Sequence, residues 1–296
     1  MSMINSLMNY VKATKYNIGF VEQDLQAVID GKPISVNWLN HSYTDRWFAD
    51  PFILDVTDNE IIVLVEEWYD PIQRGRISKL IVDRHTFHLK KLKVMIDAGY
   101  HLSFPAITRK NDGVYIQPES CVKGNLVEYK YNSQSDAFEK CGVISDYPLT
   151  DSVRNTYFGE NLLFSTKLPD ANGKELGIYS WVESNKRYEI MNFYHFNDNI
   201  SRMAGNFFKC KDRIYRPAQV CITSYGDAVS IQEVNCQNGE WSFKEIRRIY
   251  SDNKDLDLGF HTFNEYKGVI VVDGLGYRRP RLSRFLKNAK NVFKAK

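Results

Sequence analysis

Apolar residues in this chain gather in short runs broken by polar turns, and the runs recur in a fixed phrase. A first run opens on Asp, Ser or His or close to one, a polar turn follows, and a more apolar second run ends on a polar residue. The copies occupy 50–54 with 61–66, 104–108 with 114–119, 151–154 with 162–166, 203–208 with 214–219, and 260–264 with 269–273. They begin at 50, 104, 151, 203 and 260, a spacing of 47 to 57 residues. Runs this short are strands rather than helices. A period near 50 with four strands per unit is the signature of propeller blades. The predicted fold is an all-β, five-bladed β-propeller over residues 1–277.

Segments starting at Gly75, Gly124, Leu176 and Asp227 alternate apolar with polar, as a strand with one buried face does, and each is the expected third strand of its blade. Residues 16–21 read as a lone strand before the first copy, placed to close the ring against the last blade. Asn111, Asn172 and Asn238 open turns. Only 278–296 breaks the pattern, with eight Lys or Arg, no acid, and Leu282, Phe285, Leu286, Ala289 and Phe293 at helical spacing. That stretch is expected to form a short basic amphipathic helix. It would lie on an anionic membrane face or pack its apolar stripe on the propeller.

Composition narrows the class further. A chain of 296 residues with 14% aromatics suits one large all-β domain. A net charge of +3 gives no reason to expect a nucleic-acid partner. The five cysteines have no metal-ligand spacing and read as buried free thiols of a reducing compartment. The first residues lack the apolar core of a secretion signal, so the expected location is cytoplasmic. Asp255 and Asp257 form an Asp-x-Asp pair, which reads as a loop before the fifth blade, and no metal or other cofactor is assigned.

A propeller brings the start of every blade to one axis, so polar residues of the repeat should converge there. Glu66, Glu119 and Gln219 fall at one equivalent position, the end of the second strand. Asp50 and Asp151 open the first and third inner strands. Several carboxylates around one pocket suit glycosidic chemistry, where one acts as base or nucleophile and another, with raised pKa, as acid. Arg202, Arg216, His101 and His261 carry opposite charge or donors in the same repeat positions, suited to an anionic substrate such as a sugar nucleotide diphosphate. Trp38, Trp47 and Trp68 flank the first copy, where they would stack on a sugar or fill the core.

Together the phrases around Asp50, Glu66, His101, Glu119, Arg216 to Gln219, Tyr225, His261 and Asp273 resemble a bacterial and plant group. It is similar to the N-terminal region of plant glucosamine inositolphosphorylceramide transferases and related in architecture to five-bladed glycoside hydrolases and fructosyltransferases. The resemblance covers roughly residues 16–277. It implies a five-bladed propeller acting on sugars, often encoded among capsule or O-antigen genes, with Asp50 inheriting the role of base or nucleophile. The second acid of the hydrolases opens the second blade, where this chain has Ser103, Phe104 and Pro105 and no carboxylate. The proton donor is then Glu119 or Asp151, with Glu66, His101, Arg202, Arg216, Gln219, His261 and Asp273 as substrate-binding residues. The expected activity is glycosyl transfer in surface-polysaccharide assembly, from a nucleotide sugar to a saccharide or lipid-linked acceptor, with a furanosyl donor such as galactofuranose as a candidate. Arg202 and Arg216 would hold the diphosphate. A glycoside hydrolase and a non-catalytic carbohydrate-binding propeller are the alternatives.

Overall fold

A computed structural model describes residues 12–158 and 161–284. Five four-stranded antiparallel sheets form the blades of one propeller. Blade 1 contains β3 (Arg46–Val56), β4 (Glu60–Tyr69), β5 (Arg74–Asp83) and β6 (Leu89–Ile96). Blade 2 contains β7 (Ser103–Lys110), β8 (Gly113–Glu119), β9 (Leu126–Asn132) and β10 (Ala137–Ser145). Blade 3 contains β11 (Leu149–Asn155), β12 (Leu162–Lys167), β13 (Glu175–Val182) and β14 (Arg187–His195). Blade 4 contains β15 (Phe208–Cys210), β16 (Arg213–Val220), β17 (Ala228–Gln237) and β18 (Glu240–Ile249). Blade 5 joins β19 (Phe263–Tyr266) and β20 (Val269–Tyr277) to β1 (Thr14–Val21) and β2 (Asn37–Trp38). The lone strand before the first repeat therefore closes the ring, pairing from Thr14 with Tyr277 to Val21 with Ile270.

Strands buried on both faces explain the unbroken apolar runs. In β4, Ile61, Val63 and Val65 point into one interblade core and Leu64 into another, the period of 2 that a strand imposes. Phe52 of blade 1 meets Phe104 of blade 2 edge to face at 4.9 Å, and Phe164 of blade 3 meets Trp241 of blade 4 at 5.0 Å. Trp38 is part of this packing and not a sugar platform, since a Cβ on Gly274 would come within 2.7 Å of its ring. At the tip between β17 and β18, Asn238 and Gly239 both take positive φ, 51° and 83°, as a two-residue hairpin turn demands.

Several expectations need correction. The inner strands of blades 4 and 5 begin at Phe208 and Phe263, later than the repeat phrase suggests. In blade 4, Met203 bridges Ala218 and Ala204 N donates to Pro217 O at 3.0 Å, and the chain then turns toward the next blade before β15 begins. Phe263 N donates to Ala204 O at 2.8 Å and Asn206 N to Asn264 Oδ1 at 2.7 Å. Gly205 permits the crossing, because a Cβ there would lie 2.1 Å from Phe263 O. A short helix, α1 (Leu25–Ile29), was not expected, and Asp24 caps it through Ala27 N at 2.8 Å. Of the five free cysteines only Cys221 is buried, and Cys141 is exposed. The expected C-terminal helix begins at 280–284, and 285–296 lie outside the described residues. Its start is tied to the propeller: Arg278 pairs with Asp70 at 2.6 Å, and Arg284 with Asp257 at 3.1 Å and Asp255 at 3.6 Å. Among the described residues no helix is long and apolar enough to cross a membrane.

Candidate active site

Three inner strands reach the axis with the same irregularity. The registers of β3, β7 and β11 each slip just where Asp50, Phe104 and Asp151 stand. Those residues take φ of 50°, 44° and 48°, a left-handed conformation that is costly for any residue but glycine. What holds it is a carboxylate from the preceding blade. Asp50 N donates to Asp273 Oδ2 at 3.0 Å, Phe104 N to Asp50 Oδ2 at 3.0 Å, and Asp151 N to Glu119 Oε2 at 2.9 Å. Each bulge turns one side chain inward and frees one N–H for a neighbouring acid. A repeated backbone device thus builds the ring of acids.

The ring contains Asp50, Glu66, Glu119, Asp151 and Asp273, all buried. Register puts Glu66, Glu119 and Thr166 opposite Ala49, Ser103 and Thr150, and Gln219 follows in blade 4. The equivalence inferred for Glu66, Glu119 and Gln219 holds, with Asp273 as the fifth member and the neutral Thr166 as the third. Arg202 reaches across two acids, Nε to Asp151 Oδ2 at 2.6 Å and Nη2 to Glu119 Oε2 at 3.0 Å. Gln219 Nε2 donates to the same Asp151 oxygen at 2.6 Å. His261 Nδ1 lies 2.8 Å from Asp273 Oδ1, while its Nε2 stands 3.5 Å from Asp50 Oδ1. Thr262 Oγ1 lies between Asp273 and Asp50, at 2.9 and 3.2 Å, with one hydroxyl proton to share between them. His101 accepts Gly75 N at 3.0 Å through Nδ1 and turns Nε2 toward Glu66 Oε1 at 3.7 Å.

Arg216 is not in this group. Its guanidinium is fully buried between the rings of Phe196 and Phe243 and donates to Gln232 Oε1, Met203 Sδ and the carbonyl of Ser201. Burial there, with no carboxylate beside it, pulls its pKa down to about 9. It packs blade 4 and cannot hold a diphosphate at the axis. Arg202 is equally committed, because its charge is neutralised by Asp151 and Glu119.

The acids differ in how firmly they hold a proton. Burial, against the pull of His261, raises Asp50 to about 7, and Asp151 and Asp273 add to the rise. Burial raises Asp151 to about 7 as well, although Arg202 opposes it. Glu66 is pushed well above the ordinary range by burial and by Asp50, Glu119, Asp151 and Asp273, with no cation among its main influences. Asp273 goes the other way: burial raises it, and His261 with its backbone donors more than reverses that. Burial would strip the proton from His261, yet Asp273 and Asp50 outweigh it and raise its pKa to about 9. At neutral pH the floor therefore holds an imidazolium on a carboxylate and a half-ionised Asp50, while Glu66 keeps its proton more firmly than an ordinary glutamate does.

An aromatic rim surrounds this floor. Tyr16 stacks on His261 at 4.8 Å, and Tyr225 meets the same ring edge-on at 5.4 Å. Trp47 and Trp68 stack on each other at 5.5 Å, and Trp68 lies 6.2 Å from His101. Tyr16, Tyr225 and Thr262 were not anticipated as site residues. The signal for Tyr225 was the neighbouring Gly226, whose Cβ would lie 2.6 Å from that of His261. Among the described residues, Asp50, His261 and Asp273 offer ligand atoms within 4.8 Å of one another, close enough to hold a metal ion. Those atoms already serve one another, since Asp273 accepts the backbone N–H groups of Asp50, His261 and Thr262 and the imidazolium supplies the cation. Asp255 and Asp257 lie on the loop before β19 and pair with Arg284.

Fold and floor together define a five-bladed propeller with a ring of buried acids at its axis. Residues 33–266 match the family described as Glucosamine inositolphosphorylceramide transferase 1, N-terminal, and the chain belongs to it. A relative from Arabidopsis thaliana, glucosamine inositolphosphorylceramide transferase 1, is 25% identical over 243 residues, 79% of this chain and 31% of its own length. The enzyme of the same name from Oryza sativa subsp. japonica is 24% identical over 69% of this chain and 28% of its own length. The chain thus spans about a third of the length of the curated relatives it matches. Among solved structures, a GH43 β-1,3-galactosidase with galactodeoxynojirimycin superposes with a TM-score of 0.53 at 6% identity, covering 71% of this chain and 81% of that one. A GH43_1 enzyme from Xanthomonas citri in complex with xylose gives 0.52 at 8% identity, covering 79% and 88%. At such identities the likeness is one of fold.

Proposed function

We propose that this propeller is a glycosyltransferase that breaks the sugar–phosphate bond of a nucleotide sugar, releasing the nucleoside diphosphate, and forms a glycosidic bond to an acceptor hydroxyl over its axial acids. The observation that carries the reading is a split in surroundings between two buried acids of the ring: Asp50 has His261 Nε2 at 3.5 Å, whereas Glu66 is raised by four other acids with no cation among its main influences. Such a split gives one group that accepts a proton, or attacks, and one that donates. Asp50 is the base or nucleophile and Glu66 the proton donor. Glu119 and Asp151, the donors expected from the sequence, are occupied by Arg202 and by the backbone of the third bulge, which suits them to positioning. The transferase names of the relatives favour transfer over hydrolysis. The donor in this proposal is a nucleotide sugar, with galactofuranose a candidate. The acceptor is a saccharide or lipid-linked saccharide of capsule or O-antigen, and the enzyme works at the cytoplasmic membrane face, with 278–296 as its basic contact.

The test incubates purified protein with a panel of sugar nucleotides and saccharide or lipid-like acceptors, following product and released nucleotide by mass spectrometry. Transfer that disappears in both Asp50→Asn and Glu66→Gln is the expected result. Release of free sugar from simple glycosides without any nucleotide would favour the hydrolase. Glycan binding without turnover would assign the chemistry of the relatives to the two thirds of their length outside the match.

A further inference from the structure

If the two arginines chosen from the sequence cannot hold a phosphate, the positive charge for an anionic substrate has to lie elsewhere, and one cavity supplies it. It has a volume of about 220 Å³ and is lined by Lys15, Arg46, Arg278 and Arg279 together with Tyr16 and Trp47. Among the described residues no carboxylate lines it. The acids nearby stand behind its cations and orient them: Asp70 takes Arg278 in a fork at 2.6 and 2.7 Å, and Asp45 takes Arg46 in another with both contacts at 2.9 Å. Glu67 completes the Arg46 pairing at 2.8 Å. Asp45 and Glu67 offset Arg46 and Asp70 offsets Arg278, as Asp151 and Glu119 offset Arg202, and the exposed Lys15 adds charge that none of these acids offsets.

Two further observations point to a ligand. His41, which also lines the cavity, has a buried Nδ1 with no hydrogen-bond partner. Burial, with Lys15 and Arg46 beside it, lowers its pKa to about 4, so it is a neutral imidazole within a positive field, and in its Nδ1–H tautomer it has a donor to offer. The cavity also shares walls with the axial site. Tyr16 lines it and stacks on His261, and Trp47 lines it and stacks on Trp68.

We propose that this cavity binds the phosphoryl group of the substrate, a diphosphate or phosphodiester, while the attached sugar passes the Tyr16 and Trp47 rings to reach Asp50 and Glu66. The inference rests on the sugar-transfer reading for where the sugar goes, but the phosphate site stands or falls on binding alone. Lys15 supplies the point charge for a phosphate oxygen, and the ion-paired guanidiniums of Arg46 and Arg278 form the wall beside it. The ligand chemistry has two sources, a nucleoside diphosphate from the donor or a phosphodiester from an anionic lipid acceptor.

The experiment titrates the whole protein with UDP and, separately, with glycerophosphoinositol, by calorimetry and Trp fluorescence at low and high salt. At least one should bind, more weakly as salt rises, and Lys15→Glu should weaken it at least tenfold. Lys15 is exposed, so this variant should fold, which circular dichroism would check. The tighter of the two ligands identifies the source, and equal binding supports a site that reads phosphate alone. Asp50→Asn should bind as the parent does even where turnover is lost, which separates this proposal from the catalytic one. No binding of either compound at millimolar concentration, or binding undiminished in Lys15→Glu, would overturn it.

Discussion

Replacing Asp50 with Asn should remove activity and add stability, in a way that depends on pH. Asp50 is buried, near Asp151 and Asp273, and its pKa is raised to about 7 from an ordinary value of 3.8. An acid whose folded pKa lies above its unfolded one binds its proton more tightly in the native state. Its contribution to stability therefore falls as pH rises from about 4 through 7, and above that the buried charge is a fixed cost. A rise of that size corresponds to about 4 kcal/mol at most. That figure is already net of the pull of His261, and roughly 2 to 4 kcal/mol is the expected gain at pH 9 relative to pH 4. Asn resembles the protonated carboxyl and retains an oxygen for Phe104 N. Denaturant unfolding of both proteins at pH 4, 7 and 9, beside transfer assays at pH 7, would measure it. Stability curves that run parallel across the range would refute the electrostatic reasoning, and turnover above a tenth of the parent's would refute the catalytic assignment.

Two further substitutions probe the frame. Arg202→Met leaves Asp151 and Glu119 without their cation, and should cost about 3 to 5 kcal/mol at pH 8 and less at pH 5, where Asp151 is neutral; thermal melts at the two values would show whether the deficit narrows. Gly205→Ala forces a methyl against Phe263 O, which lies 2.1 Å from the added carbon, and should lower stability by roughly 1 to 3 kcal/mol; an unchanged melting temperature would mean that residues 203–207 give way freely.

The fold was readable because each blade repeats one apolar phrase. The closing strand at Thr14–Val21 and the third strand of each of the first four blades fall where the pattern put them. Most of the acid ring was readable for the same reason, since Glu66, Glu119 and Gln219 share a register. Arg216 misled because it sits three residues before Gln219 on β16, and an odd spacing sends two strand side chains to opposite faces. Applied to the same phrase, that parity rule would have excluded it. Glu66 was named as a contact and not as the proton donor because its proton affinity depends on burial and on four other acids, which no local stretch of sequence reveals. Tyr16, Thr262 and the cationic cavity join residues more than 200 positions apart, such as Lys15 and Arg278. The bulges are equally silent in the sequence, where Asp50, Phe104 and Asp151 have no common chemistry.

The closure of blade 5 by β1 sets an order on how the site comes into being. Asp273 on β20 anchors the backbone of Asp50, and β20 pairs with the first strand of the chain. Until the last strand is made and has found the first, the acids of blades 1 to 3 have no closed ring to hold them, and Asp50 N lacks its acceptor. Such a long-range pairing is expected to form late in folding. A nascent or truncated chain would then carry the acids but not their raised proton affinities, because water would still reach them. On the proposed reading, catalytic competence would arrive in one step with ring closure, making activity a direct reporter of the closed ring.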